Sequence, residues 1–421
     1  MKRRKLLKYS LLTGGGLVAA GTVGWHQVFD GPLHNPCLLD QFPESLNNHP
    51  LMQQAFSGID FTQLWDPHFH LIGNGLSDGF DGAPTGAWIT PNLTSWSHPT
   101  QRLQYHFYMD AACVDDALHA DKIYVDNANK LARQIPAGSK FMLLAFDYLH
   151  DNQGRAHQQS STFYIPNEYA ARVAHSSHRF EWIASVHPYR EDALDQLDWC
   201  KENGAKAIKW LPPAMNIDPS SNKCKNYYRK LVDLNMPLLS HAGEEKAVHS
   251  EELQQLANPL LLRTPLDAGV KVIVAHCASL GNSIDLENSQ RPLIANFDLF
   301  ARLMNDDNYK QNCLADISAI NLINRDIKVI KQIVENTDWH ERLLYASDYP
   351  LPGVMPLIST KNLVKHGLIQ AEYESFLNLV RIYNPWLYDF LLKRLMGSGG
   401  SRGSDGLSFS NAVFHTKRHF S

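Results

Sequence analysis

The sequence predicts an α/β protein, a closed (β/α)8 TIM-type barrel with long loops after strands 1 and 2, on three observations. Short apolar runs recur along the chain, amphipathic stretches at helical spacing separate several of them, and the runs number eight. Strands alternating with helices imply right-handed crossovers and a parallel sheet, which eight such units can close into a barrel. A doubly wound open sheet is the competing architecture. It expects GxGxxG after the first strand, and Gly73, Gly75 and Gly79 have the wrong spacing for that.

The predicted strands are 64–70, 141–147, 182–187, 205–210, 237–241, 272–276, 313–317 and 343–347. Segments 191–203, 223–234 and 327–336 carry apolar residues at helical spacing. Two intervals are too long for simple crossovers. Residues 71–136 carry Trp88, Trp96 and Tyr105 before a helical stretch near 110–134, and residues 150–167 form a second polar loop. Both follow strand C-terminal ends, where barrel enzymes build their sites, so they read as pocket walls or lids.

The predicted domain plan is a signal over 1–25, a leading segment over 26–60, the barrel over 61–396, and a Gly/Ser link with a docking segment over 397–421. Lys2-Arg3-Arg4-Lys5-Leu6-Leu7-Lys8, followed by an uncharged, glycine-bearing run from Tyr9 to Trp25, resembles a twin-arginine export signal, with Leu6 where Phe is usual. The expected location is therefore the periplasm, with an uncleaved N-terminal anchor as the alternative. The six cysteines include no CxxC pair and read as mostly buried free thiols, though pairing after export stays open. A composition of 44% hydrophobic and 19% charged residues is that of a globular protein, and the net charge of −4 offers no basic surface for nucleic acid. The expected partner is a small-molecule substrate, with no membrane contact beyond the N-terminal signal; a homodimer stays open.

The chemistry is expected at the strand ends. Gly399-Gly400-Ser401-Arg402-Gly403 matches a nucleophile elbow by letter. It lacks the strand before and the helix after that the elbow needs, so Ser401 reads as linker. Asp66-Pro67-His68-Phe69-His70 closes the first strand, and residues one apart on a strand share a face. With 20 histidines in the chain, an HxH pair arises about once by chance, so context decides. His241, His276 and Asp348 end strands 5, 6 and 8. Each alone is more often a hydrogen-bonded structural residue than a ligand. Together, imidazoles and a carboxylate at the same end of one barrel form a ligand set that suits zinc.

These motifs resemble the amidohydrolase superfamily, in the branch that includes aminocarboxymuconate semialdehyde decarboxylase. Asp66-Pro67-His68-Phe69-His70, Ile208-Lys209-Trp210, His241-Ala242-Gly243, Val274-Ala275-His276 and Ser347-Asp348-Tyr349-Pro350 follow that family's running pattern, with Ala207 where Gly is usual. Residues 179–188 and the closing Phe409–Phe414 are also similar to it. The resemblance implies Zn2+ held by His68, His70, His241 and Asp348. It gives His276 the role of polarising water or substrate oxygen, and Asp348 that of a proton shuttle. Lys209 is implied either as a substrate-binding cation or as a carbamylated bridge to a second metal, and one ion is the favoured count. Asp66 reads equally as a supporting or a structural carboxylate, and Glu244 and Glu245 read as a solvated loop face. The expected activity is metal-dependent hydrolysis of an ester, lactone or amide. The first alternative is non-oxidative decarboxylation of an aromatic or muconate-like acid, with Lys209, Arg102 or Arg155 facing the leaving carboxylate. The second is an exported binding protein without turnover.

Overall fold

The computed structural model describes residues 33–246, 248, 251–397 and 407–420. The export signal and Ser401 lie outside these residues. The barrel strands are β1 (Trp65–His70), β2 (Lys140–Leu144), β3 (Phe180–Ile183), β4 (Ile208–Trp210), β5 (Leu238–Ser240), β6 (Val272–Val274), β7 (Cys313–Asp316) and β8 (Leu343–Leu344). They form parallel ladders of three and five strands. Two further parallel bridges, Ala184 with Ile208 and Phe69 with Tyr349, join the ladders at both edges. No edge is left open, and the sheet is the barrel the run count predicts.

The strands read as apolar runs because both of their faces are buried. In β6 the alternation is explicit: Ile273 packs into the barrel interior while Val272 and Val274 pack outward against helices. The interior also takes Met142, Leu144, Ile183, Leu239, Leu314 and Leu344. Its lower end is filled by Trp65 and by Phe420 from the C-terminal segment. Thr416 Oγ1 accepts a hydrogen bond from Trp65 N at 2.8 Å, and Val413 O accepts one from Tyr345 N at 2.7 Å, so this segment is tied to β1 and to the end of β8.

The helices include α1 (Pro99–Ala111), α2 (Ala120–Arg133), α3 (Asn167–His175), α4 (Ala193–Glu202), α5 (Lys225–Asp233), α6 (Arg263–Asp267), α7 (Asn296–Asn305), α8 (Ile327–Glu335), α9 (Glu374–Tyr383) and α10 (Pro385–Leu395), with further short ones before and between them. The single helical stretch expected near 110–134 is two helices. Pro99 starts α1 early, and Cys113 adopts φ 56, which no α-helix tolerates. Cys113 is disulfide-bonded to Cys37, with 5.5 Å between their Cα atoms. This corrects the reading of the cysteines as free thiols: one pair is bridged, and Cys200, Cys224, Cys277 and Cys313 are free and buried.

Candidate metal centre

The site begins with an irregularity in β1. Asp66 pairs with Phe141 and Phe69 with Leu143, so three steps on β1 match two on β2. That is a β-bulge, placed where Pro67 has no N–H to give to the ladder. The bulge resets the alternation. Trp65 points into the barrel, Phe69 stacks outward on Phe141 and Tyr349, and His68 and His70 both turn inward at the top.

Asp66 fastens this turn. Its carboxylate accepts from His68 N at 3.1 Å, Ser347 N at 3.1 Å, Trp386 Nε1 at 2.7 Å and Ser347 Oγ. One side chain thus ties the bulge of β1 to the chain leaving β8, immediately before Asp348. It thereby joins the two segments through a fully satisfied carboxylate, as a supporting or a structural group would.

Three atoms converge above it. Asp348 Oδ1 lies 3.1 Å from His70 Nε2 and 3.4 Å from His68 Nε2. The Lys209 amine, from β4, is 3.1 Å from the same His68 Nε2 and is 2% exposed. His276 stacks its ring 4.9 Å from that of His68, with Nδ1 3.9 Å from Asp348 Oδ2 and 2.7 Å from Ser318 Oγ. His241 is close but turned aside. Its ring is 5.3 Å from His276, its Nε2 faces Gly243 O at 3.2 Å, and its Nδ1 lies 3.4 Å from Glu245. It does not join the convergent atoms in this conformation. Glu245 is correspondingly no solvated loop residue: its side chain is 6% exposed against His241.

Asp316, at the end of β7, is the site residue that the sequence reading missed. Its Oδ2 is 2.9 Å from His68 Nδ1, and its Oδ1 accepts from His276 N at 2.9 Å and Ser318 N at 3.0 Å. A histidine donating from Nδ1 presents the Nε2 lone pair, which is how carboxylates orient metal-binding imidazoles. His68, His276 and Asp316 also lie close enough to hold an ion themselves. That grouping is the weaker one, because both Asp316 oxygens are already committed to N–H donors. A lone Asp ending the apolar run Cys313-Leu314-Ala315-Asp316 was the available signal.

The backbone is bent to present these groups. His276 sits at φ 56 and Asp348 at φ 57, left-handed values that cost a side-chain-bearing residue about 1–2 kcal/mol each and cluster at functional sites. Electrostatics complete the preparation. Burial opposes charge on Asp348, yet His68, His276 and the contact with His70 outweigh it and hold the carboxyl well below its ordinary range. Burial keeps His276 and His70 neutral and pulls His241 down to about 4. Neutral imidazoles beside an ionised carboxylate are the protonation states a borderline divalent ion requires. The donor set fits one.

A helix covers this end of the barrel. From α1, the half-buried Tyr108 hydroxyl accepts from Gln104 Nε2 at 2.9 Å and feels the charges of Glu245 and Asp348. The long connection after β1 therefore walls the site. Arg102 and Arg155 are engaged elsewhere. Arg102 stacks 3.8 Å over the exposed Trp96 ring, and Arg155 is exposed and pairs with Asp151 at 2.7 Å.

Comparison with known proteins agrees with this architecture. The amidohydrolase family profile matches residues 144–366, more than half of the chain. The chain belongs to the amidohydrolase family and is a metal-dependent enzyme, a hydrolase or a carboxy-lyase. No curated protein matches it significantly. Similar solved structures include an uncharacterised TIM-barrel protein from Bordetella bronchiseptica, at 12% identity and TM-score 0.46, covering 78% of this chain and 95% of that one. A probable 2-pyrone-4,6-dicarboxylic acid hydrolase from Acinetobacter baumannii matches at 12% identity and TM-score 0.41, with 78% and 95% covered. A 4-oxalomesaconate hydratase from Rhodopseudomonas palustris matches at 15% identity and TM-score 0.37, with 78% and 97% covered.

Proposed function

We propose that this protein is a zinc-dependent hydrolase that cleaves an ester, lactone or amide bond of a small molecule with water. The observation that carries the proposal is the convergence of His68 Nε2 and His70 Nε2 on Asp348 Oδ1, within 3.4 Å. Two imidazoles and one carboxylate are a catalytic rather than a closed structural ligand set, since they leave coordination positions for water and substrate. His241 is the proposed fourth ligand, which requires its ring to leave Gly243 O. One ion per chain is the proposed count.

A bound divalent ion supplies Lewis acidity, lowering the pKa of a water it carries to about 7 and polarising a substrate carbonyl. Asp348, held ionised, takes the proton from the attacking water and returns it to the leaving group. His276 is neutral, and its Nδ1 faces Ser318 Oγ at 2.7 Å and Ser318 O at 3.2 Å, so its Nε2 lone pair accepts a hydrogen bond from the attacking water and orients it. Asp316 holds the His68 ring in register throughout. A hydrolysis panel in 18O-labelled water tests this: the product should carry one solvent oxygen, and CO2 release without such incorporation would overturn it.

Decarboxylation on the same residues is the second reading, supported by the buried Lys209 cation beside the cluster. Export is proposed from the twin-arginine-like start, and the Cys37–Cys113 bridge supports an oxidising compartment. Replacing Arg3 and Arg4 with Lys should abolish delivery; unchanged periplasmic protein would remove that claim.

A further inference from the structure

Among the described residues, Arg325 at the top of the barrel forms no ion pair. Arg325 ends the β7–α8 connection, directly before Asp326, which caps α8 by accepting from Lys328 N. Its Nη1 donates to Asn324 Oδ1 at 3.1 Å. Its Nε is buried and has no acceptor, and no ion pair forms to it among the described residues. The carboxylates whose charge reaches it are Asp348, Glu245 and Glu244, those of the metal centre and the loop beside it. The side chain as a whole is half-buried, and burial pulls its pKa down to about 10, so the guanidinium stays charged.

A buried donor without a partner costs free energy, more so on a charged group. By contrast, the Lys209 amine donates to His68 Nε2, and Arg190, after β3, is held by Asp147 and Asp192 at 3.2 and 2.8 Å. In Arg325 the Asn324 contact occupies one Nη and leaves the Nε/Nη2 edge open. That edge matches the two oxygens of a carboxylate in a bidentate pair.

We propose that Arg325 is the anchor for a carboxylate of the substrate, so that the substrate is a small carboxylic acid whose second, reacting group is placed over His68, His70 and Asp348. The inference rests on reading that cluster as the reaction centre. It narrows the substrate from any ester, lactone or amide to one bearing a free carboxylate, and it makes Arg325 the residue that selects it.

Calorimetric titration with benzoate and with its neutral isostere benzamide tests this, on the wild type, Arg325→Gln and Arg325→Lys. Each protein is taken both zinc-loaded and chelator-stripped. The wild type should prefer benzoate by tenfold or more in both forms, Arg325→Lys should keep part of that preference, and Arg325→Gln should lose it. The Tm of Arg325→Gln should be unchanged or higher, because the buried Nε that lacks an acceptor has gone. Retained preference in Arg325→Gln, or a wild type that binds neither probe or both equally, would overturn the proposal. So would a fall of several degrees in Tm with both probes weakened, which is the signature of a structural arginine. The stripped arm separates the two readings: an Arg325-dependent preference there survives even if the cluster fails to bind zinc, and normal zinc binding without that preference refutes the anchor alone.

Discussion

Asp316 Oδ2 stands 2.9 Å from His68 Nδ1, joining the end of β7 to the end of β1 across the barrel mouth. The other oxygen of the same carboxylate holds the strained turn at His276 through its backbone N–H, at 2.9 Å. One buried group therefore sets the orientation of a ligand and the path of the residue beside it. Replacing Asp316 with Asn should weaken zinc affinity by about 10–100-fold, the usual cost of losing such a carboxylate, with the fold retained. Chelator competition measures this. Wild-type affinity in the variant would mean that His68 needs no orienting partner.

Asp66 tests positioning apart from ligation. Asp66→Ala strands the indole N–H of Trp386 and the N–H of Ser347 in the core, at a cost of about 1–3 kcal/mol for each buried group left unsatisfied. Urea unfolding should show that loss of stability. Zinc affinity should fall with it, because the bulge and the turn before Asp348 lose their common fastening. A stable variant with normal zinc binding would show that Pro67 alone sets the bulge.

A buried histidine away from the cluster predicts the acid limb of stability. His187 donates from Nε2 to Met215 O at 2.8 Å, and burial holds its pKa at about 3 against 6.5 in the unfolded chain. Between these values the unfolded state binds the proton and the folded state does not, so stability rises with pH across that window. The contribution is fully present above pH 6.5 and is lost as pH falls towards 3. Denaturant unfolding of His187→Gln from pH 7 to 4 should show a shallower decline than the wild type. Parallel curves would contradict this.

The Cys37–Cys113 bridge closes a loop with a sequence separation of 76 residues. It joins the leading segment to the turn after α1, the helix that carries Tyr108. A double Cys→Ser variant should lose up to about 4.5 kcal/mol, the loop-closure entropy of a loop of that length in the unfolded chain. Differential scanning calorimetry with and without reductant checks it: reductant should destabilise the wild type and leave the variant unchanged.

Much of the barrel was legible because strands buried on both faces leave an unbroken apolar trace, and the polar residue ending each run marks where the chain turns over the mouth. Hence His241, His276 and Asp348 could be placed at strand ends before any coordinates. What stayed hidden depends on long-range geometry. The bulge at Pro67 shows only against the register of β2. Asp316 reads as an ordinary strand-end carboxylate until His68, 248 positions away in sequence, lies against it. Arg325 is one more charged loop residue until its buried Nε is seen to lack an acceptor, and Glu245 is a loop acid until the fold sets it against His241. The start of α1 at Pro99 was missed because its sequence is weakly amphipathic beside the strongly patterned α8.

The central claim is that His68, His70 and Asp348 hold one catalytic ion. Elemental analysis of zinc-reconstituted wild type, His68→Ala and Asp348→Asn, beside hydrolysis of the same preparations, tests it most directly. The account predicts about one ion per wild-type chain, with metal content and activity lost together in both variants and the fold intact by circular dichroism. Full zinc occupancy in either variant would contradict it, and so would two ions per wild-type chain bridged by a carbamylated Lys209.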